Sequence, residues 1–290
     1  VNLTVEDGSF NIDSSDDSIH TNDSIVINGG SFTIASGDDG IHADTTLDIN
    51  GGTIDITKSY EGLESTTITI NDGTIHLIAS DDGINAAGGN DGSAMNGRPG
   101  QNNFSSTSGM IYFNGGYVYV NASGDGLDAN GSIEMSGGTV IVDGPTDGGN
   151  GALDYDATFN ISGGLLIASG SNAMLQTPSS SSSQNTIVVS SNTSSHTLVN
   201  IQDSTGTDLI TYAPSKSSQV IMISSPEFKT GETYTISTGG TSTGTEIDGL
   251  YKGGSYSGGS NVATLTISSS ITSNGNLNNG MGGPGGMGRP

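Results

Sequence analysis

Residues 37–52 read GDDGIHADTTLDINGG, and the same pattern recurs on both sides of them. The second glycine of the closing pair, Gly52, has counterparts at Gly8, Gly30, Gly73, Gly116, Gly138 and Gly164. The spacings are 22, 22, 21, 43, 22 and 26 residues. The 43 is one period carrying an insertion, and the 26 is one period with four added residues around Pro145. A period near 22 is too short for helical repeats and suits a β-solenoid in which one coil is one repeat.

Alignment on the glycine sorts the apolar residues into columns. Five before it stand Leu3, Ile25, Leu47, Ile68, Ile111, Ile133 and Phe159, and three before it Val5, Ile27, Ile49, Ile70, Phe113, Met135 and Ile161. Positions two and four after it are apolar in every repeat, from Phe10 and Ile12 to Leu166 and Ala168. Alternation with period two on each side of an Asn-Gly-Gly type turn predicts two short strands per coil. A third apolar column eleven after the glycine holds Ile19, Ile41, Leu63, Ile84 and Leu127. The expected fold is all-β: a parallel β-helix over 1–178, right-handed by the chirality of parallel crossovers. Asn28, Asn50, Asn71 and Asn114, then Ser136 and Ser162, read as an internal ladder of side-chain amides.

Two segments leave the pattern. Residues 87–109 form an insertion rich in Gly, Asn and Ser, expected to bulge from the stack. After Pro178 the repeat gives way to a serine run and to strand-like stretches in 179–270, expected to form antiparallel hairpins that cap the solenoid end. Residues 271–290 are a Gly/Met-rich tail.

The chain holds 30 acidic against 6 basic residues, a formal charge of −24. Nucleic acid is excluded as a partner, since phosphates need basic patches. There is no cysteine, hence neither disulfide nor thiolate metal site, and no apolar run is long enough to span a membrane. A start at Val1 without methionine reads as a processed chain, expected to be extracellular or on the cell surface.

The acids are ordered. Eight after the glycine stand Asp16, Asp38, Tyr60 and Asp81; nine after it Asp17, Asp39, Glu61, Asp82 and Asp125. Twelve after it come His20, His42, Glu64, Asn85 and Asp128, with Asp154 in register beyond the Pro145 insertion. Stacked carboxylates about 5 Å apart repel unless shielded. Hard oxygen ligands so placed suit Ca²⁺. The plainer reading is that Asp-Asp-Gly residues cap turns. His20 and His42 read as hydrogen-bonded surface residues, and zinc is not expected. A second group is aromatic: Tyr112, Tyr117 and Tyr119 take outward positions where other coils carry small or polar residues, as an exposed face for sugar rings.

The DDGIHA/NGGT repeats, the stretch SPEFKTGETYTISTGG (225–240) and the Gly-Met tail resemble a family of extracellular carbohydrate-binding proteins from clostridia and relatives. The resemblance implies a β-helix shaped like pectate lyases, calcium held at the DDG segments, and cellulose or polygalacturonate-type ligands. Tyr60 and Gly124 replace the first Asp of that motif. The leading expectation is a secreted, calcium-binding, non-catalytic polysaccharide-binding protein. Two rivals are a fibre or surface-assembly subunit joined through the tail, and a calcium-dependent lyase with Lys58, beside Glu61, as base.

Overall fold

A computed structural model of the chain describes residues 1–86 and 109–275. The 87–108 part of the insertion and residues 276–290 of the tail lie outside the described residues. Among those described there is no helix, and the repeats stack as about seven turns of about 22 residues.

The strands before the marker glycine, such as Leu3–Val5, Ser24–Ile27, Ile41–Ile49 and Leu63–Ile70, join one parallel sheet. Those after it, such as Ser9–Asp13, Ser31–Ala35, Thr53–Ser59 and Thr74–Ala79, join a second. The third segment of each coil runs into the first sheet, and in Ile41–Ile49 and Leu63–Ile70 it merges with the next repeat's first strand. Register follows the repeat: Ile25 pairs with Leu47, Leu47 with Ile68, and Phe10 with Phe32. The Phe10 and Phe32 rings stack with centroids 4.7 Å apart, one strand spacing. Across the insertion Ile68 pairs directly with Ile111 and Thr74 with Tyr117, so the insertion adds no coil.

All seven marker glycines have positive φ, between 76° and 133°. At Gly52 (φ 95°) a Cβ would stand 2.8 Å from the Gly30 carbonyl oxygen of the coil before. Both the backbone angle and the close approach require glycine there. The asparagine ladder exists but runs along the outside: Asn50 donates to Asn28 (2.9 Å), Asn71 to Asn50 (2.8 Å) and Asn114 to Asn71 (2.9 Å), all exposed. The internal placement expected from sequence is wrong because the turn directs these side chains to solvent.

The C-terminal region does two things. Ser218–Ser224 adds antiparallel to Leu165–Gly170 and is followed in the second sheet by Thr186–Thr193, with Ile271–Ser273 parallel at its edge. Val188, Val220 and Met222 close the solenoid core there, as a cap must. The remaining strands, Val199–Gln202, Asp208–Tyr212, Thr233–Thr238, Thr245–Ile247, Leu250–Lys252 and Ser260–Thr266, form a six-stranded antiparallel sheet. Its inner face meets the outer face of the second sheet around Ile141, Ile167, Ile187 and Ile221, making a second core. The third sheet therefore lies on the flank of the solenoid instead of only closing its end. Asp143, buried at 1% exposure, pins the layers: its carboxylate accepts from the hydroxyls of Tyr212, Tyr119 and Ser169 and from the Ser215 amide.

Candidate functional site: stacked carboxylates at the solenoid corner

The corner after each second-sheet strand carries the acid columns. Position nine forms a column, and the carboxylates of Asp17, Asp39, Asp82 and Asp125 each accept the amide of the same position one coil on. Asp39 N–H donates to Asp17 Oδ1 (3.1 Å) and Glu61 N–H to Asp39 Oδ1 (3.2 Å). Farther along, Asp125 N–H donates to Asp82 Oδ1 and Gly151 N–H to Asp125 Oδ1, both at 2.6 Å. These bonds run from coil to coil rather than within one turn, so they tie the stack together instead of capping the local turns of the plainer reading. They employ one oxygen of each carboxylate and leave the other for further partners.

Position twelve is a column too: His20 pairs with His42, His42 with Glu64, Glu64 with Asn85, Asn85 with Asp128 and Asp128 with Asp154. Asn85 breaks its charge and donates to Glu61 Oε2 at 2.8 Å. Before the break lie two stacked imidazoles, His20 and His42, with centroids 4.6 Å apart. His42 is not the surface residue expected; it is 4% exposed. Its Nδ1 lies 3.3 Å from Asp17 Oδ2 and 3.4 Å from Glu64 Oε2, and its Nε2 3.6 Å from Asp44 Oδ1. Neighbours in the column, rather than the solenoid core, cover it.

The two halves differ electrostatically. Burial alone would raise Asp17, but hydrogen bonds from His42 and the Asp39 amide, with the nearby imidazoles, hold it below the usual carboxylate range. Burial, then the charges of Asp17 and Asp38, pushes Asp39 up to about 6, and burial beside Asp39 and Asp82 raises Glu61 well above its ordinary value. Beyond Asn85 no imidazole stands in the column. From the coil of Asn85 onward, burial and mutual repulsion push Asp82 up to about 7, Asp125 to about 6 and Asp128 to about 8, and raise Asp154 as well.

Ligand atoms of Asp82, Asp125 and Asp128 lie within 4.8 Å of one another. Two oxygens on one Ca²⁺ lie at most about 5 Å apart, twice the metal–oxygen distance. This all-oxygen group therefore fits that ion without large rearrangement. The same spacing holds for Asp16, Asp17 and Asp38, and for the mixed groups Asp39, His42, Glu64 and Asp17, His20, His42.

The two departures from the motif have local causes. A Cβ at Gly124 would fall 2.3 Å from Asp82 Oδ1 and 2.6 Å from Asp81 Oδ1, so the carboxylates of the preceding coil occupy the space a side chain would need. Tyr60 hydrogen-bonds to Asp81, which with partial burial lifts its phenol above the ordinary range.

The tyrosines do not form one exposed face. Tyr112 lies in the first sheet between Thr69 and Glu134. Tyr117 and Tyr119 lie in the second sheet, half-buried beneath the flanking antiparallel sheet. Tyr117 donates to Asp248 Oδ2 (2.8 Å) and Tyr119 to Asp143 Oδ2 (3.0 Å), with the Tyr119 oxygen also 3.3 Å from Ser215 Oγ. Outward phase in a strand sets direction only. The covering layer comes from residues about a hundred positions later, which no local pattern announces.

A stack of parallel coils with a carboxylate-lined corner belongs to the broad class of β-solenoids. Residues 1–40, its first coils, match the sequence model of a family described as carbohydrate-binding domain-containing protein. No curated protein and no solved structure gave a match.

Proposed function

We propose that the chain is an extracellular polysaccharide-binding protein that binds calcium and has no catalytic role. The match of its first 40 residues to a carbohydrate-binding family supports polysaccharide as the partner. The oxygen-only group Asp82, Asp125 and Asp128, with Asp154 beside it, supports Ca²⁺ as the cofactor. Asp16, Asp17, Asp38, Asp39, Glu61, Glu64 and Asp81 are the further candidate ligands. A chain of formal charge −24 repels acidic glycans, so such a glycan would be held through shared Ca²⁺.

Glycan-array binding with and without chelator tests this reading. Retention of uronate-rich glycans only when Ca²⁺ is present is the expected result. Release of an unsaturated product from pectic substrate would instead favour the lyase, for which the exposed Lys58 is the candidate base.

A further inference from the structure

The flanking sheet leaves a groove of about 480 Å³ against the solenoid, lined among others by Tyr119, His196, Ser215, Glu246, Ile247 and Tyr251. That volume lies in the range of clefts that hold small ligands. A smaller cavity of about 270 Å³, near Thr146 and Gln219, has no aromatic lining.

The groove is built and held. Its outer wall is the hairpin of Thr245–Ile247 and Leu250–Lys252, in which Ile247 pairs with Leu250 across Asp248 and Gly249. Both loop residues have positive φ, as a type I′ hairpin with Asp-Gly demands. Asp248 Oδ2 lies 2.8 Å from His76 Nε2 and accepts from the Tyr117 hydroxyl, tying the hairpin to the solenoid. On the inner wall the hydroxyl contacts of Tyr119 to Asp143 and Ser215 fix its ring before any ligand arrives. A rigid aromatic loses little entropy on binding. Ile247, on the rim, is 44% exposed despite being a large aliphatic residue.

His196 stands at a second special turn on the groove. It and Asp248 are the two non-glycine residues with positive φ among those described, and both line this groove. Turn type explains Asp248. His196 (φ 58°) occupies the third position of a turn closed by Thr197 N–H to Ser194 O, where glycine or asparagine is the relaxed choice. Its own N–H donates to the Pro214 carbonyl (2.8 Å), so the chain fixes this turn and leaves the imidazole exposed on the groove.

We propose that this groove is a cation-independent subsite for a short run of uncharged glycan. Tyr119 and Tyr251 would offer ring faces to the apolar faces of the sugars, and Glu246, Ser215 and His196 would take their hydroxyls. Glu246 and Asp248 disfavour uronates there, and the neighbouring ammonium of Lys252 lies over the Tyr117 ring, 5.7 Å from its centroid. The inference rests on the polysaccharide-binding reading.

The test is calorimetric titration of the full chain, in chelator, with neutral xylo- and manno-pentasaccharides, and in Ca²⁺ with a pentagalacturonate. At least one neutral probe should bind, and Tyr251→Ala and His196→Gly should each weaken it about tenfold, one contact's worth. His196→Gly should melt at or above the wild-type temperature, since glycine relaxes the backbone; that separates lost contact from lost fold. Unchanged affinity in both variants overturns the subsite. So does failure of both neutral probes while the galacturonate binds, which leaves the polysaccharide reading standing. Binding of none of the three ends both.

Discussion

Asp128→Asn should raise stability in the absence of Ca²⁺ and lose most of that advantage in its presence. The carboxyl of Asp128 is pushed from 3.8 up to about 8, first by burial and then by Asp82, Asp154 and Asp125. With the folded value above the unfolded one, the folded chain holds a proton that the unfolded chain releases between those two values. Stability in the absence of metal is therefore fully present below about pH 4 and falls as pH rises toward 8. At pH 7 the displacement from 3.8 is about 3 units, an upper bound of about 4 kcal/mol at 1.36 kcal/mol per unit. Asparagine keeps the shape and removes the ionisation. In chelator at pH 7 the variant should thus melt several degrees above wild type, at roughly 2 °C per kcal/mol for a chain this long. With Ca²⁺ the gap should narrow. A site at a hundred times its dissociation constant adds about 2.7 kcal/mol to the wild type, and the variant has one charged ligand fewer with which to gain it. Thermal melts followed by circular dichroism at pH 5 and pH 7, each with Ca²⁺ and with chelator, read all four conditions. If Asp128→Asn lowers the melting temperature in chelator at pH 7, the buried-charge argument is wrong. If Ca²⁺ leaves the wild type unmoved, the corner does not bind the ion.

Gly52→Ala should destabilise by about 1–3 kcal/mol, because φ of 95° and the Gly30 carbonyl both oppose a Cβ, and a melting temperature equal to wild type would refute that. Tyr212→Phe removes a donor from the buried Asp143 carboxylate and should cost about 1–3 kcal/mol by denaturant unfolding. An unchanged unfolding midpoint would mean that this bond does not hold the flanking sheet to the solenoid.

The solenoid was legible because one position does one job in every coil. Gly8 through Gly164 share a backbone conformation, and Leu3 through Phe159 share a column, so repetition stands in for an alignment. The acid columns were legible in register for the same reason. Their burial was not: the sequence places Asp39 and His42 on a turn, and only the stacked neighbours on either side make them 1% and 4% exposed. The flanking sheet was illegible as a layer. Its contacts join Tyr119 to Ser215, Tyr117 to Asp248 and Asp143 to Tyr212, pairs 69 to 131 residues apart with no period linking them. Outward alternation marked Tyr117 and Tyr119 as unusual, but it could not say that the chain returns to cover them.

The corner meets one electrostatic problem in two ways, and Asn85 marks the change. A column of carboxylates one strand spacing apart opposes the pairing of the strands that carry it. In the first coils His20 and His42 stand among Asp17, Asp39, Asp44 and Glu64, and the hydrogen bond from His42 is the largest of the contacts that hold Asp17 below its usual range. Past Asn85 the column carries Asp128 and Asp154 with no imidazole, and burial and repulsion raise the carboxyls of Asp82, Asp125, Asp128 and Asp154 together. Asp82 and Asp128 thereby hold protons up to about neutral pH, and a cation shared among these carboxylates would displace them. In the histidine half a hydrogen-bonding partner for the carboxylates is covalently part of the column, whereas in the other half the proposed Ca²⁺ would have to take that role. Dependence on pH should therefore span both halves, through Asp39 and Glu61 before Asn85 and through Asp82, Asp125 and Asp128 from that coil onward.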